Sequence, residues 1–389
     1  MSKIAIITEV YPRLSETFIR KQAYKIGGFV FAYKIAQEIL NKQDKQLPKI
    51  VDLSDNIPTL YKKIYWWSKV ILWKVFKYPG YHWIPNSKST LKKRLQEMDI
   101  HVVLAQFGTT GINVMNVCKE LSIPLVVHFH GKDASQLLQN KYYSHEIKQL
   151  LKIAVEIIVV NQNMRQIFLD FGFPKEKIHF IPCGVEVPLS CPYKQNSPHS
   201  PFRFLAIGRL VEKKAPLNTI KAFELCAKKH PNVSLTFVGD GELLEEVESY
   251  VSKSDYKNKI FLKGPLPHIQ VQKELLKADA FVQHSIVASN GDAEGWPLTV
   301  GEAGAYGLPV ISTKHMGITS QVVEGVTGFL VEEGDVKEMG KKMIEIASFK
   351  PEKYNTFSKM AYKHIKEHGN NSIQISKLQD VLNKHITKK

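Results

Sequence analysis

Short apolar runs recur along the first half of the chain, each followed by a longer segment with helical spacing. Six of them read as strands: Lys3–Thr8, Val30–Ile35, Val102–Gln106, Leu125–His130, Ile157–Val160 and His179–Pro182. The alternation stops at Val187–Phe202, where four prolines and three serines remove any periodicity and the chain reads as linker. It then restarts, with strands expected at Arg203–Ile207, Ser234–Val238, Lys259–Leu262, Ala280–Gln283 and Pro309–Ser312. Helices are expected at Pro216–Lys229, Leu243–Lys253, Ile269–Lys277, Leu298–Tyr306 and Val336–Ser348, and the last forty residues are polar and helix-prone. Strands alternating with helices predict an α/β protein with mostly parallel sheets covered on both faces. Ligands in such sheets gather at the carboxyl ends of strands, so the loops there are where chemistry is sought.

At 389 residues the chain is long for one core and suits two domains. The linker divides it into residues 1–190 and 191–369, with residues 370–389 as a terminal helical segment. Hydrophobic content of 44% with 23% charged residues describes an ordinary globular composition. Cys118, Cys183, Cys191 and Cys226 form no C-x-x-C pair, which favours reduced thiols in a cytoplasmic setting over a zinc site or disulfide scaffold. The apolar run Ile4–Ile7 ends at Glu9, too soon for a signal peptide. No uncharged apolar stretch reaches the roughly 18 residues that a membrane span needs.

The net charge of +16 is uneven: residues 1–190 carry 26 Lys+Arg against 15 Asp+Glu, the remainder 27 against 22. Between Tyr61 and Trp83 lie five lysines, nine aromatics and no acid. At helical spacing Tyr61, Ile64, Tyr65, Trp67, Ile71 and Phe76 share one face, and Lys62, Lys63, Lys69, Lys74 and Lys77 the other. Two readings stay open: a helix packed on its own domain with a solvated lysine face, or a segment docking peripherally on an anionic membrane surface. No RNA- or DNA-binding motif accompanies it, so nucleic acid is not an expected partner.

Two local patterns point to chemistry. In Asp292-Ala293-Glu294-Gly295-Trp296-Pro297-Leu298-Thr299-Val300-Gly301-Glu302, a Gly-Trp-Pro turn opens a helix, placing Glu294 on the loop and Glu302 on the helix. The free N–H groups of such a helix start attract phosphate, and the carboxylates suit sugar hydroxyls. Gly208-Arg209-Leu210-Val211-Glu212-Lys213-Lys214 follows a strand directly, so a glycine turn brings Arg209 and Lys214 beyond its end. Fixed cations there stabilise a departing diphosphate more in the transition state than in the ground state. The two patterns together suit a sugar nucleotide.

With seven residues between Glu294 and Glu302, the first pattern resembles the E-x7-E signature of retaining glycosyltransferases of family 4. The second is similar to that family's G-R-L-x-x-x-K run, with Ala215 where glycine is usual. Gln283-His284-Ser285, Asn290-Gly291-Asp292-Ala293 and Tyr11–Ile19 look like the exopolysaccharide and colanic-acid branch, and His130-Gly131-Lys132-Asp133 resembles its H-G-x-D run. The resemblance implies a GT-B fold, two Rossmann-like domains facing across a cleft, with the terminal helix returning to the first. It makes Gly208, Arg209 and Lys214 the pyrophosphate site, and His130 a donor-sugar contact from the first domain. Glu294, with Gly295, Trp296, Pro297 and Leu298, holds the donor sugar and phosphate; Glu302 binds ribose. Gly239 closes a neighbouring strand, and Gly264-Pro265-Leu266 is the loop whose backbone meets the base.

The implied activity is metal-independent hexosyl transfer with retention, in which the leaving phosphate serves as base. It uses no cofactor; the donor is a nucleotide-sugar, UDP favoured over GDP. The implied acceptor is a glycan or lipid-linked glycan at the cytoplasmic face of a membrane, in surface polysaccharide or lipopolysaccharide synthesis. Asp292-Ala293-Glu294 is not read as a metal motif. Ser15-Glu16-Thr17 stands where many relatives carry a glycine-rich loop. The alternatives are a non-catalytic nucleotide-sugar-binding or scaffold subunit, which would be expected to lose His130, Glu294 or a phosphate cation, and a GT-B sugar-nucleotide epimerase.

Overall fold

The structure, a computed structural model, describes residues 3–11, 17–35, 48–53, 67, 87–192 and 201–386. It divides into two compact units, Met1–Ile181 with Ile375–Lys389, and Pro182–Gln374. The division falls ahead of the Pro/Ser-rich stretch because residues after Ile181 already pair within the second unit. The Val185 N–H bonds the Gly369 carbonyl at 2.8 Å, and the Asn371 N–H bonds the Val185 carbonyl at 2.8 Å.

The first unit runs β1 (Ile4–Tyr11), α1 (Thr17–Ile26), β2 (Phe29–Ile35), β3 (Lys49–Asp52), α2 (Ser87–Glu97), β4 (Val102–Gln106), α3 (Gly108–Leu121), β5 (Leu125–His128), α4 (Lys141–Leu151), β6 (Glu156–Val159), α5 (Gln162–Asp170) and β7 (Ile178–Phe180). Its strands are parallel in the order β3-β2-β1-β4-β5-β6-β7. β4 and β5 are buried along their whole length, which is why they read as unbroken apolar runs. β3 was not expected: four residues, Lys-Ile-Val-Asp, at the sheet edge carry too little pattern to stand out. The expected strand Leu125–His130 ends at His128, because the N–H groups of His130 and Gly131 turn away onto a side chain described below.

The second unit runs β8 (Phe202–Ile207), α6 (Pro216–Lys229), β9 (Val233–Val238), α7 (Leu244–Lys253), β10 (Ile260–Leu262), α8 (His268–Lys277), β11 (Ala280–Gln283), α9 (Leu298–Ala305), β12 (Val310–Thr313), β13 (Gly328–Val331), α10 (Val336–Ala347), α11 (Pro351–His368) and α12 (Asn371–Asn383). Its parallel order is β10-β9-β8-β11-β12-β13. Successive residues of β8 feed opposite faces: Phe204 packs with Phe223, Phe329 and Met343, and Leu205 with Phe281, Val300, Val310 and Ile318. The edge strand β13 was also not expected.

In both sheets the order reverses direction beside the first strand, between β1 and β4 and between β8 and β11. These are the switch points at which doubly wound sheets open a crevice. The terminal helix α12 begins in the second unit, and from Ile375 onward its residues belong to the first. There Gln379 donates to the Lys25 carbonyl at 3.2 Å, and His385 lies 3.3 Å from the Glu156 carboxylate, which also meets His179 at 2.8 Å. Among the described residues no helix is long and apolar enough to cross a membrane. The aromatic-lysine segment of residues 61–83 lies outside the described residues except for Trp67, which is exposed.

Candidate active site

In the second unit the expected residues converge at the switch point. Gly208 follows β8 and its N–H bonds the Val238 carbonyl at 2.9 Å; the Gly239 N–H in turn bonds the Gly264 carbonyl at 2.9 Å. Three strand ends, β8, β9 and β10, are thereby laced together through Gly208, Gly239 and Gly264. A Cβ on Gly239 would fall 1.9 Å from the Gly208 carbonyl oxygen, so only glycine lets the backbones approach this closely. Pro265 and Leu266 continue from Gly264, with Leu266 half-buried against the core beneath.

Lys214 returns from its turn to face the end of β11. Its Nζ lies 3.1 Å from Gln283 Oε1 and 3.4 Å from Glu294 Oε1. Lys213, adjacent in sequence, pairs instead with Asp292 at 3.2 Å and reaches Glu294 at 3.8 Å. Both carboxylates of the Asp-Ala-Glu run are thus met by lysines. Burial pushes the Glu294 carboxyl up, but the Lys214 and Lys213 charges outweigh it and hold the group below its ordinary value. Burial lowers Lys214; Glu294 partly restores it, and the Lys213 and Arg209 charges lower it further. Arg209 itself is exposed beyond the strand end.

Ala215, directly after Lys214, has φ 36° and ψ 58°, a left-handed backbone unfavourable for any residue with a Cβ. It is the N-cap from which α6 starts.

Glu294 is held by residues that the sequence did not single out. Its N–H bonds His315 Nε2 at 3.0 Å, so that nitrogen is the acceptor and Nδ1 carries the proton toward Glu333, 2.5 Å away. The other Glu333 oxygen accepts the Val287 N–H at 2.8 Å. His284 is fully buried between the Gly334 N–H and Met339, and burial pulls its pKa down to about 4. Gly317 backs the same loop: a Cβ there would lie 2.0 Å from the Gly295 carbonyl oxygen. Gln283 and His284 are marked in the sequence only through the branch resemblance, without a role, and nothing ties His315 to Glu294 in sequence.

Trp296 is buried, its ring against Gly301, and Pro297 is the N-cap of α9. No side chain caps that helix start, which leaves the Leu298 end suited to an anion. Glu302 is the fifth residue of α9 and half-buried, close enough to Tyr306 to raise the phenol's pKa, after burial as the main cause.

In the first unit His130 lies just past β5. The buried Asp133 carboxylate accepts three backbone N–H groups, from Gly108 at 2.9 Å, His130 at 3.0 Å and Gly131 at 2.9 Å. Asp133 therefore acts as the clamp of the H-G-x-D run. The His130 ring sits among Phe18, Phe107 and His128, with centroids at 4.6, 4.7 and 4.1 Å. Its Nε2 lies 2.7 Å from Gln106 Oε1. Burial first, and His128 second, hold the imidazole well below its usual pKa, so it is neutral. His128, read as a packing residue, is fully buried, with its pKa pulled down to about 3 by burial. Residues 15 and 16, where a glycine-rich loop was sought, lie outside the described residues. Among the described residues no group of three His, Cys, Asp or Glu side chains is arranged to hold a metal ion.

Against this geometry the chain matches two family descriptions, "Glycosyl transferases group 1" over residues 192–364 and "Glycosyltransferase Family 4" over residues 48–188. It belongs to the family 4 glycosyltransferases and has their two-domain GT-B fold. It is 27% identical over 248 residues to the amylovoran biosynthesis glycosyltransferase AmsK of Erwinia amylovora, covering 63% of this chain and 61% of that one. It is 26% identical over 289 residues, 68% of this chain and 71% of the other, to an Escherichia coli UDP-Gal:alpha-D-GlcNAc-diphosphoundecaprenol alpha-1,3-galactosyltransferase. Among solved structures, Anabaena HepE in complex with UDP and glucose superposes with a TM-score of 0.76 at 16% identity, covering 99% of this chain and 100% of HepE. The match to the AmsK relative spans under two thirds of that relative's length.

Proposed function

We propose that the protein is a retaining glycosyltransferase that moves a sugar from a UDP-sugar to a glycan or lipid-linked glycan during surface polysaccharide assembly. The observation that carries this reading is the meeting of Lys214, Glu294 and Gln283 at the β8/β11 switch point, with Arg209 beside them. A diphosphate placed there would find two cations and the uncapped start of α9. Departure of the nucleoside diphosphate builds negative charge, and Arg209 and Lys214 stabilise it without reorganising. Lys214 then exchanges its Glu294 contact for a phosphate oxygen, and the Glu294 carboxylate turns to donor-sugar hydroxyls. Glu302 serves the ribose, and the Gly264–Leu266 backbone the base.

His130, neutral and locked in place, contributes a hydrogen bond to a donor hydroxyl rather than a charge. Retention fits front-face attack, with the departing phosphate taking the acceptor proton, since the Glu294 carboxylate is engaged by donor-sugar hydroxyls rather than serving as nucleophile. No metal is needed where lysine and arginine supply the positive charge. The UDP in HepE and the UDP-Gal and diphosphoundecaprenol acceptor of the E. coli relative support the donor and acceptor classes.

The test is thermal stability against a panel of UDP-, GDP- and ADP-sugars. A UDP-sugar is expected to raise the melting temperature of the wild type, and Arg209→Ala and Glu302→Ala to abolish that rise. A rise of equal size in both variants would place the ligand elsewhere.

A further inference from the structure

His315 and Glu333 stand just past the carboxyl ends of β12 and β13, and the proposed reaction gives neither a part. His315 is fully buried, and both of its ring nitrogens are engaged. A backbone N–H only donates, so the Glu294 N–H at 3.0 Å makes Nε2 the nitrogen with the lone pair. Nδ1 therefore carries the proton and donates it to Glu333 Oε1 at 2.5 Å. The second oxygen of Glu333 accepts the Val287 N–H at 2.8 Å. One carboxylate thus holds the loop of residues 284–297 at two points, directly at Val287 and through His315 at Glu294. His284, the first residue of that loop, accepts the Gly334 N–H at 2.8 Å and so sets the turn that carries Glu333. Between the two points the loop is fastened separately, where Ser289 donates its N–H and its hydroxyl to Glu212 at 2.7 and 2.9 Å. The His315–Glu333 pair therefore has a narrower task than keeping the loop in place. It sets where the Glu294 backbone, and hence its carboxylate, stands.

We infer that His315 and Glu333 are positioning residues for the donor sugar, a carboxylate–imidazole brace that aims the Glu294 carboxylate at the sugar hydroxyls. This role rests on the reading of Glu294 as a donor-sugar contact and adds what aims it. His315 grips the backbone N–H, so the carboxylate can exchange Lys214 for hydroxyls while its root stays fixed. The brace needs a neutral imidazole, because a proton on Nε2 would face the Glu294 N–H. It also needs two acceptor oxygens at residue 333, since an amide there could serve only one of its two donors. Its effect falls on the sugar and not on the nucleotide, because the groups proposed for the nucleotide, Arg209 and Glu302, stand on other segments.

The brace is read first without any transfer assay, by long-range 1H–15N correlation on the full chain labelled with 15N-histidine, with His315→Gln assigning the signal. The expected pattern is a protonated Nδ1 and an unprotonated Nε2, and the reverse in the wild type overturns the inference. Glu333→Gln should either shift that tautomer or speed amide exchange at Val287; a variant that changes neither also overturns it. Binding then separates sugar from nucleotide, with UDP alone and the UDP-sugar that raises the melting temperature as probes. His315→Gln presents an oxygen in place of Nε2 and should bind the UDP-sugar close to the wild type. His315→Asn turns its amide to Glu333 and leaves the Glu294 N–H unmet. Its UDP-sugar affinity should fall roughly tenfold, and kcat with it, while UDP affinity holds. Equal loss of UDP and UDP-sugar in His315→Asn, or no difference between the two variants, would make the pair ordinary scaffold. Wild-type UDP-sugar affinity and turnover in Glu294→Gln, with the expected tautomer present, overturns instead the reading of Glu294 on which the role depends.

Discussion

The Glu294 carboxylate and the Lys214 ammonium lie 3.4 Å apart, both largely shielded from water, each at the end of a loop that follows a strand of the second unit. At that distance they form an ion pair looser than a charge-assisted hydrogen bond. On the proposed reading a phosphate takes Lys214 from this pair, and Glu294 turns to the donor sugar.

Removing one partner of such a pair leaves a buried charge. Glu294→Ala strips the nearest carboxylate from Lys214 and should destabilise the second unit by about 2–4 kcal/mol. Lys214→Ala should cost less, because Lys213 remains 3.8 Å from Glu294. Urea unfolding of both single variants and the double variant measures the coupling, expected at roughly 1–2 kcal/mol; additive effects would mean that the pair is incidental.

Gly317→Ala places a methyl group against the Gly295 carbonyl and must push the Gly295–Pro297 turn aside. The expected result is a correctly folded far-ultraviolet spectrum with donor affinity lowered at least tenfold. Unchanged affinity would mean that the turn does not touch the donor.

In the first unit Asp133→Asn keeps the shape of the clamp but replaces one acceptor oxygen with an NH2 group that faces backbone N–H groups. Leaving such groups unpaired should cost about 1–3 kcal/mol. Amide exchange at Gly108 and Gly131 should accelerate in that variant, and equal protection would contradict the clamp.

How much of this could be read from the sequence depends on distance along the chain. The turn at Gly208 and the loop-then-helix arrangement of Glu294 and Glu302 are local, and a glycine after an apolar run or a proline at a helix start marks them. β3 has only Ile50 and Val51 between two charged residues, and β13 opens on a glycine that reads as a turn, so neither edge strand shows an apolar run in the sequence. The supports are non-local: His315 meets Glu294 from 21 residues away, and Glu333 meets Val287 from 46. No spacing rule links such pairs, because the sheet order decides which strand ends become neighbours. The exchange of partners at Lys213 and Lys214 is of the same kind, since only the path of the loop decides which lysine reaches which acid.

Acid should weaken the fold well above the carboxylate range. The folded-state pKa values of His128 and His284 are pulled down to about 3 and about 4. Against an unfolded value near 6.5, the unfolded chain binds the extra proton as pH falls below about 6.5. Stability contributed by their neutral forms is complete above that pH and is lost on acidification, at up to about 1.4 kcal/mol per pH unit for each histidine. Urea midpoints taken from about pH 7 down to about pH 5 should fall steadily, and His284→Gln should flatten the slope of the second unit's transition. Midpoints that stay level over that range would show that both rings protonate without cost.

The most direct test of the central claim is sugar transfer itself, followed by 1H NMR of the anomeric proton, with the wild type, Arg209→Ala and Lys214→Ala supplied with the UDP-sugar that shifts stability and an undecaprenyl-diphosphate-sugar acceptor. The account predicts a product with the donor's α-configuration and a rate lowered at least a hundredfold in either variant, as expected for cations that act on the transition state. An inverted product, or turnover indifferent to both substitutions, would contradict it.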